Sequence, residues 1–235
     1  AAASLFREVP EGLFNQVVRT MYIDVCKEIG DVPIEVANDG DVTALSGAMS
    51  LNSNRVLGIA MGTSQAVGYV DNQGYITGWL NELAFVPVDY NQNSMLDEWS
   101  GDYGCGVTYF SQDAVIKLAN KAGLHLEKSL SPADKLKVVQ ELHNEGNTTA
   151  ELIFDTIGAY LGYSIAYYAT FYDIEHLLIL GRVTSGKGGE RVIKKAKEIL
   201  YNEFRNIHEK INLTLPDEKS RRVGQSIAAA SLPKL

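Results

Sequence analysis

Cysteine is scarce in this chain: Cys26 and Cys105 are the only two among 235 residues, too few for a disulfide framework and consistent with a reducing compartment. Basic stripes are missing too. The formal net charge is -8, and the short basic clusters Lys194-Lys195 with Lys197, and Arg221-Arg222, each lie beside acidic residues. A nucleic-acid partner is therefore not expected, and solvated helix faces account for those clusters. There is no apolar run of the ~20 residues that a membrane span needs. The most apolar stretch, Ile157 to Phe171, is Tyr-rich and bounded by Asp155 and Asp173, which reads as a buried core helix. Charge enters at Arg7-Glu8 before any apolar segment develops, so no secretory leader is read at the start. A cytoplasmic globular protein is the expectation, and the 46% hydrophobic and 21% charged content agrees with a packed fold.

Apolar residues from Leu13 to Ile29 recur at helical spacing, and Gly30 can end that helix. Val32-Pro-Ile-Glu-Val36 reads as a short strand, followed by a helix from about Asp39 through Ala48. Arg55 to Ala60 has buried-strand character. Gln65 to Val70 and Gly74 to Ile76 then read as a hairpin about the turn Asp71-Asn-Gln-Gly74. Trp79 to Cys105 is irregular and rich in Asn, Asp and Gly, as functional or metal-type loops are. Helices are expected from Ser131-Pro132 to His143, from Thr148 or Thr149 to about Tyr172, over Gly189 to Phe204, and near Val223 to Ser231. Glu175 to Leu180 reads as a strand. Strands alternating with helices imply an α/β domain with a mixed sheet.

Three segments carry chemistry. In Val36-Ala-Asn-Asp-Gly-Asp-Val-Thr-Ala-Leu-Ser-Gly47 a strand ends in Asn38-Asp39 and opens into a helix. A carboxylate there can take a proton from an attacking hydroxyl, the helix terminus favours its negative charge, and either residue can instead simply cap the helix. Leu57-Gly-Ile-Ala-Met-Gly-Thr-Ser-Gln-Ala-Val-Gly68 holds a Gly-Thr turn between strands, which serves equally as a phosphate cradle or as an ordinary hairpin turn. Gly181-Arg-Val-Thr-Ser-Gly-Lys-Gly188 nearly spells a P-loop. Gly188, however, stands where the Mg²⁺-holding hydroxyl belongs, so a Gly-rich turn touching a nucleotide is preferred to a true Walker motif.

In this order the segments resemble the ROK family (repressor, open reading frame, kinase) of the hexokinase–actin superfamily. Asn38-Asp39-Gly-Asp-Val-Thr-Ala-Leu-Ser-Gly47 is similar to the family's N-D-A-N-A-A-A-x-G-E segment, and Met61-Gly-Thr-Ser-Gln-Ala-Val-Gly68 to its L-G-T-G-I-G-G-G loop. Asn81-Glu82-Leu-Ala-Phe85 sits where the family has G-E-x-G-H. Ser100-Gly-Asp-Tyr-Gly-Cys105 aligns with its C-G-x-x-G-C zinc knuckle, Ile179-Leu-Gly181 with the strand entering the adenosine site, and Ser226-Ile-Ala-Ala-Ala with the closing helix. The resemblance implies an actin-like, ribonuclease H-like ATPase lobe with flanking helices, residues 1–235 forming a C-terminal lobe whose final helix (about 222–232) packs toward a largely absent N-terminal lobe. It implies ATP-dependent phosphoryl transfer to a hexose or N-acetylhexosamine, with ATP and Mg²⁺ as cofactors. Asp39 would be the base, Asn38 and Glu82 would hold sugar hydroxyls, and Gly62, Thr63 and Gly181 would face the nucleotide. A homodimer is a further family expectation.

The departures are specific. No segment before Asn38 resembles the family's D-x-G-G-T phosphate hairpin. Ser64, Gln65 and Ala66 replace glycines, and side chains there are expected to narrow the nucleotide site. Phe85, Glu98, Ser100 and Cys105 occupy the zinc-ligand positions, so the zinc site is expected to be lost. A non-catalytic sugar-sensing protein is the alternative reading, on the same sugar pocket with degenerate ATP and zinc sites.

Overall fold

The computed structural model describes residues 6, 8–216 and 218–232. The chain divides into two compact units, Ala1–Ala37 with Ala229–Leu235, and Asn38–Ala228.

In the first unit a helical turn at Glu11–Leu13 runs into a π-helical stretch, Phe14–Val18, and helix α1 follows at Met21–Glu28. The single helix expected over Leu13 to Ile29 is thus interrupted. The β-branched pair Val17-Val18 is a poor helix former, and the Thr20 hydroxyl donates to Asp24 Oδ2 at 2.6 Å just past the break. Gly30, at φ +125, ends α1 as expected. Val32–Val36 is not a strand. Those five residues are exposed and pair with no strand among the described residues, and Pro33 lacks a ladder donor.

The second unit is built on a four-stranded sheet, β1 (Val56–Met61), β2 (Gln65–Val70), β3 (His176–Leu180) and β4 (Asn212–Thr214), in spatial order β2-β1-β3-β4. β1 pairs antiparallel with β2, and β3 is parallel to both β1 and β4. The strand expected at Gly74 to Ile76 reduces to a single bridge, Val70 with Ile76. Its turn does form, with the Asp71 carboxylate accepting the N–H groups of Gln73 and Tyr75.

Side chains alternate across the strands, so each face receives its own core. Leu57, Ile59, Met61, Leu177 and Ile179 face a large cluster completed by α3 (Gln112–Lys121), α4 (Pro132–Asn144), α5 (Thr148–Tyr168) and α6 (Gly186–Glu203). Val56, Val70, Leu178 and Leu180 face the other way, onto Ala44 and Ala48 of α2 (Asp39–Leu51). Burying so many fully enclosed aliphatic side chains, each worth about 1.5–3 kcal/mol, dominates the stability. A short α7 (Arg205–Lys210) leads to β4, and α8 (Glu218–Ala230) follows. Gln225 of α8 donates to the Thr43 hydroxyl of α2 at 2.6 Å.

Close approach of α5 and α6 depends on Gly158 and Gly162, where a Cβ would come 2.6 Å from the Val192 carbonyl and 2.8 Å from Ile199. Arg191 locks the pair, reaching Asp155 at 2.8 and 2.7 Å and Glu151 at 3.2 Å. The helix expected from Gly189 starts three residues earlier, at Gly186. The long apolar helix is capped by Asn147, whose side chain accepts from Thr149 and Ala150, and it ends at Tyr168.

Candidate functional site

Helix α2 lies almost backbone to backbone on β2. A Cβ on Gly40 would sit 2.6 Å from the Val67 carbonyl carbon, and one on Gly68 would overlap the Gly40 carbonyl. Only glycine at both positions lets the helix start this close to the strand. At that start Asn38 is the N-cap, its Oδ1 accepting the Gly40 N–H at 2.8 Å. The capping alternative is therefore realised for Asn38, which leaves its Nδ2 free to donate elsewhere. Asp39, the first helical residue, is exposed, and its Oδ1 accepts the same N–H at 2.9 Å.

Two residues on, Asp41 is buried and anchors a second segment. Its Oδ1 accepts from Asn81 Nδ2 at 3.1 Å, and Tyr172 donates its hydroxyl to Asn81 Oδ1 at 3.1 Å. Glu82, the next residue after Asn81, is exposed at the start of a 3-10 turn, Leu83–Phe85. The helix terminus bearing Asn38 and Asp39 and the loop bearing Glu82 are thus fastened by one buried hydrogen bond between their immediate neighbours. Sequence reasoning passed over Asp41 and Tyr172. The available signal was an acid one turn before Ala44 and Leu45, on the face that the apolar pattern of α2 buries.

Burial pushes the Asp41 carboxyl above the usual carboxylate range, and the nearby Asp39 charge adds to this. Donation from Asn81 and from the Tyr69 backbone N–H works the other way. The folded protein therefore holds this proton more tightly than the unfolded chain, so the group favours the native state increasingly as pH falls through its raised pKa toward 3.8. Asp41→Asn removes that slope. In urea titrations the wild type is expected to gain on Asp41→Asn between about pH 7 and pH 4. A constant difference between the two would contradict a buried, proton-holding Asp41.

At the C-terminal edge of the parallel pair, Ala60 of β1 lies beside Leu180 of β3, so Gly181 leaves the sheet level with Met61, and Gly62 follows one residue on. This edge is where open α/β sheets bind ligands. Thr63 and Ser64 are exposed in the β1–β2 turn, where the Gly62 N–H donates to the Ser64 carbonyl at 2.9 Å. A Cβ on Gly62 would meet only that carbonyl, at 3.7 Å, so its outer side is open. Gly181 has φ +104, and a Cβ there would fall 2.5 Å from the Met61 carbonyl carbon. Gln65 does not narrow this edge as expected. Its side chain is buried, with Oε1 2.6 Å from where a Gly106 Cβ would stand.

Gly188, which ends the P-loop-like run, and Gly189 after it serve packing. A Cβ on Gly188 would press Phe154 at 2.9 Å, and one on Gly189 would fall 2.5 Å from the Thr184 carbonyl carbon. Thr184 and Ser185 turn their hydroxyls back to the Gly181 carbonyl at 3.2 and 3.4 Å.

The loop from Phe85 to Cys105 is held by side chains at the positions matched to zinc ligands. Phe85 stacks on Trp99 with ring centroids 5.3 Å apart, and Glu98 pairs with Lys117 at 2.6 Å. Ser100 donates both its N–H and its hydroxyl to Asp97. Cys105 is buried, which pushes its thiol up, away from the thiolate that binds metals. Among the described residues no three His, Cys, Asp or Glu side chains are grouped as a metal would require. Nor is any helix among them long and apolar enough to cross a membrane.

Two depressions lie elsewhere. One, of about 710 Å³, is lined by Asn52, Asn54, Arg55, Asn72, Asp173 and Glu175 around the opposite end of β1 and β3. The other, of about 390 Å³, surrounds buried Asp89, which Tyr109 and Asn91 hold by hydrogen bonds.

Compared with solved structures, the fold is similar to a ROK family glucokinase from Streptomyces griseus in complex with glucose and AMPPNP. That match has a TM-score of 0.66 at 18% identity and covers 88% of this chain and 72% of the glucokinase. A ROK hexokinase from Thermus thermophilus gives 0.67 at 16% identity over 88% of this chain and 68% of that one. A ROK family transcriptional regulator, a homolog of the E. coli MLC protein, gives 0.62 at 21% identity. Here 89% of this chain is covered but only 55% of the regulator, so the chain spans little more than half of that relative. No curated protein matches the sequence. The model of the ROK family matches residues 23–230. On that match, which takes in the sheet, the Asn38–Asp39 helix terminus and the glycine-bearing strand edge, the chain belongs to the ROK family.

Proposed function

We propose that this chain binds a hexose or N-acetylhexosamine through Asn38, Asp39 and Glu82, and that its lineage activity is ATP-dependent phosphoryl transfer to a sugar hydroxyl. The observation that carries this reading is the 3.1 Å hydrogen bond from Asn81 to Asp41, which fastens the Glu82 loop to the Asp39 helix terminus. Neutral sugars are gripped by such side chains. Asn38 Nδ2 donates to a hydroxyl oxygen, while Glu82 and the free oxygen of Asp39 accept from hydroxyl hydrogens. Asp39 Oδ2 is the proton acceptor for the attacking hydroxyl, and the N-terminus of α2 offsets the charge of that carboxylate.

The open outer side of Gly62 and the exposed Thr63 fit a phosphate at the strand edge. ATP with Mg²⁺, when bound, supplies the phosphoryl group and its charge compensation. Gly62 and Thr63 would line the phosphates, and Gly181 would keep the neighbouring edge low. The loop from Phe85 to Cys105 needs no zinc in this reading, because ring stacking and the Glu98–Lys117 pair fix it.

A second reading, a regulatory protein that senses sugar without turnover, draws support from the same turn. The Gly62 N–H is spent on Ser64, leaving one backbone donor fewer for a phosphate. ADP release that depends on both sugar and Mg-ATP separates the two, since only the kinase reading predicts it. Both readings require a sugar. Calorimetric titration of the full chain with glucose, mannose and their 2-acetamido derivatives should show saturable binding to at least one. Heats no different from dilution across that panel would remove the proposal.

A further inference from the structure

Tryptophan is rare here, with Trp79 and Trp99 the only two in the chain. Trp79 lies three residues before Glu82 and is built into the fold from beneath. Its ring runs nearly parallel to Tyr69, at 14° and 6.3 Å between centroids, and tilts against Tyr172 at 5.9 Å. Both tyrosines are buried and themselves meet edge to face at 5.1 Å. The Tyr69 hydroxyl donates to the Asp173 carbonyl, and the Tyr172 hydroxyl donates to Asn81. Asn81 Nδ2, besides holding Asp41, donates to the Trp79 carbonyl at 3.3 Å. Ring and backbone of Trp79 are therefore both fixed, yet 57% of the residue stays exposed. The neighbouring Leu80 is 90% exposed.

A large aromatic left in water costs hydrophobic free energy that a free surface position does not repay. A pyranose ring presents one face of C–H groups carrying slight positive charge, which suits the negative face of an indole. Its hydroxyls point outward around the rim, toward donors and acceptors such as Glu82. The same Asn81 side chain holds the indole-bearing backbone and the helix terminus of Asp39.

Resting on the sugar-binding reading above, we infer that Trp79 is a stacking platform for the apolar face of the sugar and makes the site select cyclic pyranoses over open-chain polyols. Trp79 is a specificity-determining residue in this view. It moves no proton and touches no phosphate.

The test uses the full chain with Trp99→Phe, which keeps a ring against Phe85 and leaves Trp79 as the sole indole emitter. Saturating glucose, or whichever panel sugar binds best, is expected to shift the emission of Trp79. Trp79→Ala and Trp79→Leu are expected to weaken binding of that pyranose about tenfold, with Trp79→Phe and Trp79→Tyr close to wild type. Leucine keeps apolar bulk without a π face, so it serves should alanine unfold the loop. The preference for glucose over sorbitol is expected to shrink about tenfold in Trp79→Leu. Pyranose affinity and preference unchanged in Trp79→Leu, while Asp39→Ala and Glu82→Ala lose binding, would overturn the platform and leave the sugar site standing. Failure of every pyranose to bind the parent chain would take both down together.

Discussion

Replacing Gly181 by alanine is expected to cost about 3 kcal/mol or more of folding stability, read as a large drop in urea midpoint or as loss of soluble protein. Two independent penalties combine. At φ +104 an L side chain is strained whatever its surroundings. The added methyl would also stand 2.5 Å from the Met61 carbonyl carbon and 2.8 Å from the Met61 nitrogen, both backbone atoms that cannot swing aside. Gly62→Ala is the control, since its Cβ meets only one atom at 3.7 Å, and a change within about 1 kcal/mol is expected. The family resemblance assigns both glycines to the nucleotide. Stability separates them, because the need for glycine at 181 exists without any ligand. A wild-type urea midpoint for Gly181→Ala would show that β1 and β3 do not meet in this way.

Asp39→Ala is expected to weaken sugar binding about 10- to 100-fold while leaving thermal stability nearly unchanged. The first part follows because a charged acceptor contributes about 1.5–3 kcal/mol to a hydrogen bond with a hydroxyl. The second follows because Asp39 is exposed and its one structural partner, the Gly40 N–H, is also held by Asn38. Loss of that duplicate cap costs well under about 1 kcal/mol. Asp39→Asn keeps an acceptor and should retain part of the binding, but it removes the proton acceptor that the kinase reading requires. Calorimetry beside thermal unfolding checks both halves. Undiminished affinity in Asp39→Ala would take this carboxylate out of the site.

Much of the second unit was legible because its signals are local. Leu57–Met61 and Leu177–Leu180 are apolar runs too short for helices. Ser131-Pro132 carries both cap and first-turn chemistry, and Asp71 to Gly74 makes its turn. What failed depended on partners. Val32–Val36 has strand composition but no ladder to join among the described residues. α3 is a different case: its Ser111 cap is followed by Ala114, Val115, Leu118 and Ala119 on one face, a local helix signal for which no element is expected above. β4 is three residues long and alternates exposed and buried, so it exists through its pairing with β3.

At the site, the pair Asn38-Asp39 and Glu82 could be picked out by residue type, whereas the clasp that relates them could not. Asp41, Asn81 and Tyr172 lie 40 and 91 residues apart in the pairs that bond, and no local pattern encodes such separations. The glycines were legible as glycines but not by purpose. Gly40 and Gly68 admit a helix to a strand, and Gly188 and Gly189 admit one helix to its neighbours, whereas at the end of β1 Gly62 keeps an open outer side.

Amide NMR of the labelled full chain, titrated with the best-binding panel sugar, locates the ligand without presuming any residue's role. The largest shifts are expected at Gly40, Asn81 and Glu82, with the Asn38 side-chain NH₂ and the Trp79 indole N–H moving in step. Shifts confined to the depression around Asp89, Tyr109 and Tyr160, or to that around Arg55 and Glu175, with the N-terminal turn of α2 silent, would contradict the account.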